Sequence, residues 1–278
     1  MKLTAIIPTR GRPHMLAGCL HTFANLQSRK HHVQYAVAVD VDDPETIVAA
    51  KELQKRYPTL SVTIFNRPPS LGEYSNRIAE RVPADAYCTI CDDVVCVSSK
   101  WDDAIAKELE ATPKGIWWFK SDPERPVTNV IMSHAWYKAQ GRIYTELFPY
   151  WYDDMWIREV VVMATGKDVP QVEGAGIVDI PMGTTRMRDL LFWDDFFQIS
   201  RPGRVAQARK IAEALGYDVT VAAKIAPVFH PNHEFRKRAD DVVNIQGDKK
   251  PASPEYMIAK ARAEKMLARI GMLQASAA

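Results

Sequence analysis

The sequence has no apolar run approaching the roughly 18 residues that a membrane-spanning helix needs, so no membrane span is expected. Its opening, MKLTAIIPTRGRP, lacks the long apolar segment and cleavage site of a secretory signal. A cytoplasmic location is the expectation. No GxGxxG follows the first apolar run, which argues against a Rossmann dehydrogenase, and no GxxxxGK with a following Ser or Thr occurs, which argues against a P-loop NTPase. Excess charge is also missing. A net charge of +2 argues against a non-specific nucleic-acid binder, leaving only a local basic patch open. Cysteines are few: Cys19, Cys88, Cys91 and Cys96. Cys88 and Cys91 have CxxC spacing, but no second such pair exists. On a strand those two side chains would point to opposite faces, so reduced core cysteines are expected rather than a zinc or redox site.

What is present is the material of a globular protein. Of the 278 residues, 47% are hydrophobic, enough for a sizeable core in one large or two small domains. Short apolar runs predict strands over 3–7, 35–39, 61–65 and 87–91. Helices are predicted after each: one with apolar residues at Met15, Leu16, Cys19, Leu20 and Phe23, then 45–56, 73–81 and 100–110. Alternation of apolar strands with helices predicts a Rossmann-like α/β fold around a mostly parallel sheet covered on both faces. Further on, strands are predicted over 116–119, 130–133 and 174–180, and helices over 136–142, 156–164, 189–199, 205–215 and 251–273. Residues 200–204 read as a loop. The expected organisation is a catalytic domain over 1–235, with a nucleotide-binding half to about 110 and an acceptor half beyond it. A loop and helical tail cover 236–278.

Ligands of parallel α/β sheets bind beyond the carboxyl ends of the strands. Those ends carry Pro8, Thr9 and Arg10, then Asp40 and Asp42, then Asp92 and Asp93. Adjacent carboxylates repel, and a hard divalent cation with oxygen ligands is their usual stabiliser. Asp42 or Asp43 alternatively caps the helix that begins with Pro44. A second acidic pair, Asp153-Asp154, follows the aromatic run Tyr150-Trp151-Tyr152. It reads either as a helix N-cap or as a pair of chemically active carboxylates.

In order and spacing these segments resemble the GT-A-fold glycosyltransferases, particularly the large inverting family 2 group that includes bacterial polysaccharide synthases. The similar segments are Ile6–Pro13, the strand ending at Asp40, Leu71-Gly72-Glu73-Tyr74-Ser75-Asn76-Arg77, Ile90-Cys91-Asp92-Asp93 and Tyr152-Asp153-Asp154-Met155-Trp156. The likeness runs from Met1 to about Gly166. It implies transfer of a sugar from a nucleotide-diphosphate donor, commonly UDP-linked, to an acceptor hydroxyl. It also implies donor contacts from Pro8, Thr9, Arg10, Asp40, Asp42, Asn76 and Asp92. A divalent ion, Mn²⁺ or Mg²⁺, would sit on Asp93 with a late histidine, His230 or its neighbour His233. Asp154, or next to it Asp153, would be the catalytic base. The chain departs from the family's Asp-x-Asp motif: the first aspartate falls at Ile90 or Cys91, depending on the alignment.

Rival readings are a nucleotidyltransferase, which would want a richer glycine loop than Pro8–Arg12, and a non-catalytic nucleotide- or carbohydrate-binding module. Within sugar transfer, a retaining enzyme or one acting on a DNA base is the alternative. The loose basic group Arg186, Arg188, Arg201 and Arg204 suggests the DNA acceptor, or else a solvated helix face. The acceptor is otherwise a glycan or a small molecule.

Overall fold

The protein is described by a computed structural model, in which residues 1–121, 129–180, 188–218 and 251–276 are described. The chain forms two compact units. The first comprises Met1–Pro68, Glu73–Tyr144 and Val169–Met182; the second comprises Pro69–Gly72, Thr145–Asp168 and Gly183–Ala278.

The first unit is built on a sheet of eight strands: β1 (Lys2–Thr9), β2 (His32–Asp40), β3 (Leu60–Phe65), β4 (Ala86–Thr89), β5 (Val94–Cys96), β6 (Ile116–Lys120), β7 (Val130–Ser133) and β8 (Gln171–Asp179). Their order is β3-β2-β1-β4-β7-β6-β8-β5. The helices α1 (Pro13–Leu26), α2 (Pro44–Arg56), α3 (Gly72–Arg81), α4 (Trp101–Ala111) and α5 (His134–Gln140) connect them. The first four strands in the order are parallel, as the βα alternation predicts. Beyond β4 the sheet is mixed, because β7 runs antiparallel to both β4 and β6. β8 lies parallel to β6 through a bulge and pairs antiparallel with β5. The parallel half is therefore the half that gathers strand carboxyl ends along one edge.

Each helix here has a reason in its residues. In α1 the buried side chains Leu16, Cys19, Leu20 and Phe23 recur at helical spacing and lie against β-strand residues Leu3, Ala5 and Ile7 in one core. Pro13 starts α1, where its missing N–H costs nothing. Asp43 caps α2 by accepting from the Thr46 N–H at 3.2 Å. Trp101 of α4 is fully buried, meets Phe23 edge-on and donates its indole N–H to the Phe23 carbonyl at 2.9 Å.

Two sequence expectations change here. The fourth strand ends at Thr89 rather than at 91, because the Cys91 N–H turns to the Asn129 side chain at 2.7 Å instead of a ladder partner. The chain then re-enters the sheet as β5, a three-residue strand the hydrophobic pattern does not separate from its neighbours. The four cysteines are free thiols, and burial pushes Cys88 upward.

The second unit contains α6 (Asp153–Thr165), α7 (Leu190–Ile199), α8 (Arg201–Leu215) and α9 (Pro254–Ser276). Phe148, Tyr152, Trp156, Trp193, Phe196 and Phe197 form its aromatic core. Residues 201–204, expected as loop, are the first turn of α8, with a proline in a helix-starting position. Arg204 is buried there and pairs with the equally buried Glu159 of α6 at 2.6 Å. Its guanidinium also lies 3.9 Å from the Phe197 ring centroid. No helix among the described residues is long and apolar enough to cross a membrane.

Replacing Trp101 by Ala is expected to destabilise the first unit by about 3–5 kcal/mol, since it empties a large site and orphans the Phe23 carbonyl. Urea unfolding checks this; a change below about 1 kcal/mol would contradict the packing described.

Candidate active site

β1 lies between β2 and β4, so the turn that leaves it reaches the ends of both neighbours. That turn is Arg10-Gly11-Arg12. Gly11 takes φ +64, a left-handed conformation that favours glycine, and its N–H donates to Asp43 Oδ2 at 2.5 Å. The two arginines flanking it bind different carboxylates. Arg10 donates to Asp40 Oδ2 at 2.7 Å and grips Asp42 with two bonds of 2.5 and 2.9 Å. Arg12 pairs with Asp92 Oδ1 at 2.6 Å and Asp93 Oδ2 at 3.2 Å. Thr9 donates its hydroxyl to Asp92 Oδ2 at 2.7 Å. Pro8 is half-buried one residue earlier, in register with Ala38.

The carboxylates differ in environment. Asp92 is buried, and that burial pushes its pKa up to about 6 despite Thr9 and Arg12. Asp42 is exposed and held below the usual range by the Arg10 guanidinium. Burial acts to raise Asp43, but the Gly11 and Thr46 bonds bring it below its ordinary value. Asp40 is buried and accepts a short hydrogen bond from the Tyr74 hydroxyl. Burial, reinforced by Asp40, pushes that phenol upward. Five carboxylates therefore lie along this edge with the guanidiniums of Arg10 and Arg12, and the charge of Arg67 also acts on Asp42, so negative charge remains in formal excess. Such an edge suits a hard cation with oxygen ligands.

Thr9, Arg10, Asp40, Asp42, Asp92 and Asp93 thus lie along one edge of the sheet. Asn76 is buried on α3 with its amide engaged by the chain at 143–144: it accepts from both N–H groups at 2.9 and 3.0 Å and donates to the Tyr144 carbonyl at 2.9 Å. Arg12 and Tyr74 were not singled out by the sequence. Both lie inside segments it flagged, but nothing in a sequence says where their side chains turn. His230, His233 and Arg186 lie outside the described residues.

In the second unit, Asp153 and Asp154 open α6. They do not act as the N-cap; that position is Tyr152, which makes no side-chain cap bond. Trp151 and Tyr152 both have positive φ, 66° and 60°, at a cost of roughly 1–3 kcal/mol each. Such strain persists only where the surrounding packing enforces it. Asp153 is buried, and its Oδ1 has no hydrogen-bond partner among the described residues. Burial, then Asp154 and Glu146, push its carboxyl well above the usual range. Asp154 is half-buried; burial raises it too, but backbone N–H groups oppose the rise. Arg204, once grouped with exposed arginines, is spent on Glu159 and is not part of a basic surface.

A separate His-Asp-Asp group, His31, Asp102 and Asp103, offers ligand atoms within 4.8 Å of one another. It lies by the amino end of β2, away from the strand carboxyl ends, and its carboxylates already have partners. Lys30 and His31 each pair with Asp103 at 3.0 Å, and Ser28 donates twice to Asp102 at 2.6 and 2.7 Å.

No family model matches the chain, and no curated protein matches it by sequence. Solved structures do match. Residues 1–349 of S. aureus TarS in complex with UDP align with TM-score 0.56 and 13% identity, over 95% of this chain and 88% of that one. The same protein with UDP-GlcNAc gives 0.54 and 12%, over 93% and 79%. The mannosyltransferase PcManGT from Pyrobaculum calidifontis, in complex with GDP-Man and Mn²⁺, gives 0.55 and 10%, over 98% and 86%. The fold is the Rossmann-like α/β fold of GT-A glycosyltransferases.

Asp153→Asn is expected to stabilise the protein at pH 8 by about 1–3 kcal/mol, because an amide fills the site without a buried charge. The folded state holds the Asp153 proton more tightly than the unfolded chain. Wild-type stability therefore falls as pH rises above the ordinary carboxylate value, and the gain from Asn shrinks toward pH 4. Melting curves at pH 4 and 8 check both statements.

Proposed function

We propose that the protein is a glycosyltransferase that moves a sugar from a nucleotide-diphosphate donor, UDP-linked, to an acceptor hydroxyl, with inversion and with the help of a divalent metal. The supporting observation is the convergence of Thr9, Arg10, Asp40, Asp42, Asp92 and Asp93 on one sheet edge, in a fold that nucleotide-sugar enzymes share. In this reading the nucleotide lies across the carboxyl ends of β1, β2 and β4. Asp40 and Asp42, held by Arg10, are placed to accept from ribose or base donors, with charge-assisted bonds stronger than neutral ones. Asp93, one-third exposed beside the buried Asp92, offers the accessible carboxylate oxygen for Mn²⁺ or Mg²⁺. The ion, when bound, would neutralise the departing diphosphate as a Lewis acid.

Asp154 is the base of the proposal. It takes the proton of the acceptor hydroxyl as that oxygen bonds to the anomeric carbon, and the bond from carbon to the diphosphate oxygen breaks. Asp153 serves less well, because like charges and burial make it hold its own proton. A half-buried carboxylate with a raised pKa, as at Asp154, is the better acceptor of a proton near neutral pH. Residues 1–110 form the donor half and residues 111–235 the acceptor half in this scheme.

Thermal stabilisation by UDP, GDP and ADP, with and without Mn²⁺, tests the reading. Binding to the native state alone contributes about 2.7 kcal/mol at a hundredfold excess over Kd. A metal-dependent shift with one nucleotide is expected, and no shift with any of them would sink the assignment. Asp154→Asn is expected to keep that shift while transfer falls by roughly 10²–10⁴.

A further inference from the structure

Two adjacent carboxylates with one guanidinium between them raise the question of what happens to the guanidinium when a metal arrives. We propose that Arg12 is a displaceable internal cation, closing the Asp92–Asp93 corner in the donor-free protein and moving to the donor diphosphate when metal and nucleotide bind together. The proposal rests on the donor-site reading above.

The two ends of the Arg12 fork are held unequally. Asp92 is buried and its Oδ2 is taken by Thr9; Arg12 lies 2.6 Å from Oδ1 as an ion pair without hydrogen-bond geometry. Asp93 is one-third exposed and accepts a hydrogen bond from Arg12 at 3.2 Å. The Asp93 end is the one open to solvent, and so to an incoming cation. Arg10 offers the contrast: three bonds to Asp40 and Asp42 lock it in place. A planar fork freed from Asp93 matches phosphate oxygens as well as carboxylate oxygens.

A second observation points the same way. Arg12 occupies the N-cap of α1 and makes no side-chain cap bond. That position prefers Ser, Thr, Asp or Asn, and a positive side chain at the positive end of a helix is unfavourable. A residue that breaks its local rule calls for a gain elsewhere, and functional sites are where proteins break such rules. Here the gain is the bridge to Asp92 and Asp93.

The consequence is linkage. Metal alone competes with Arg12 for Asp93, so it binds weakly. Nucleotide diphosphate gives Arg12 another anionic partner, which frees the carboxylate. Each ligand therefore favours the other, and by reciprocity the effect is equal in both directions.

The test is Mn²⁺ affinity of the full chain, read from the paramagnetic resonance of free Mn²⁺, with and without UDP. Wild type and Arg12→Met are compared. Without UDP, Arg12→Met is expected to bind Mn²⁺ about tenfold more tightly, and the strengthening of Mn²⁺ binding by UDP is expected to shrink by a similar factor. Arg12→Lys keeps the charge but loses the fork, and intermediate values are expected; it carries the test if the Met variant does not fold. Wild type binding Mn²⁺ with UDP while both variants keep its constants would overturn the role of Arg12 alone. A wild type that binds neither UDP nor Mn²⁺ overturns the donor-site reading and this inference with it.

Discussion

Five carboxylates at the ends of parallel strands repel one another, and a single turn keeps them together: its two arginines hold four of them and the Gly11 N–H holds the fifth. Everything proposed for this protein depends on that clamp. β1 is central between β2 and β4, so its exit turn is the one place from which both neighbours are reachable. Gly11 supplies the left-handed kink, and the residues on either side of it divide the work: Arg10 to Asp40 and Asp42, Arg12 to Asp92 and Asp93. The clamp leaves a negative surplus. Burial raises Asp92 to about 6, so it sheds its charge only in mildly acid solution. Near neutral pH the surplus is an electrostatic demand that a bound cation would meet.

The second unit solves a different problem: holding a carboxylate pair at a helix start in an apolar setting. Trp151 and Tyr152 lead into α6 in the left-handed conformation, and the Tyr152 ring enters the aromatic core beside Phe148 and Phe197. A buried ion pair, Glu159 with Arg204, ties α6 to α8. Such a pair contributes little net stability compared with apolar packing, but breaking one side of it typically costs about 3–5 kcal/mol. It therefore fixes an orientation more than it adds stability. A fixed α6 gives Asp153 and Asp154 a fixed frame.

Much of the first unit is legible in the sequence, and the reasons are physical. Helical spacing of Leu16, Cys19, Leu20 and Phe23, and unbroken apolar runs for β1 and β2, carry a strong periodic signal. Strand-end carboxylates are visible because an apolar run stops at them. β5 is not legible: three residues joined to a preceding turn have no period. The antiparallel β7 is read as a strand, but its direction is a tertiary fact. Asp43 was legible as a helix cap because Pro44 follows it. The side-chain partners were not. Arg12 and Tyr74 meet carboxylates 80 and 34 residues away in sequence, and Asn76 spends its amide on a loop 68 residues later.

The most direct test of the central claim is where a nucleotide protects the backbone. Hydrogen–deuterium exchange with and without UDP and Mn²⁺ should show protection concentrated in residues 9–12, 40–43 and 91–94. Protection absent from those three segments, or confined to the neighbourhood of His31 and Asp102, would contradict the account.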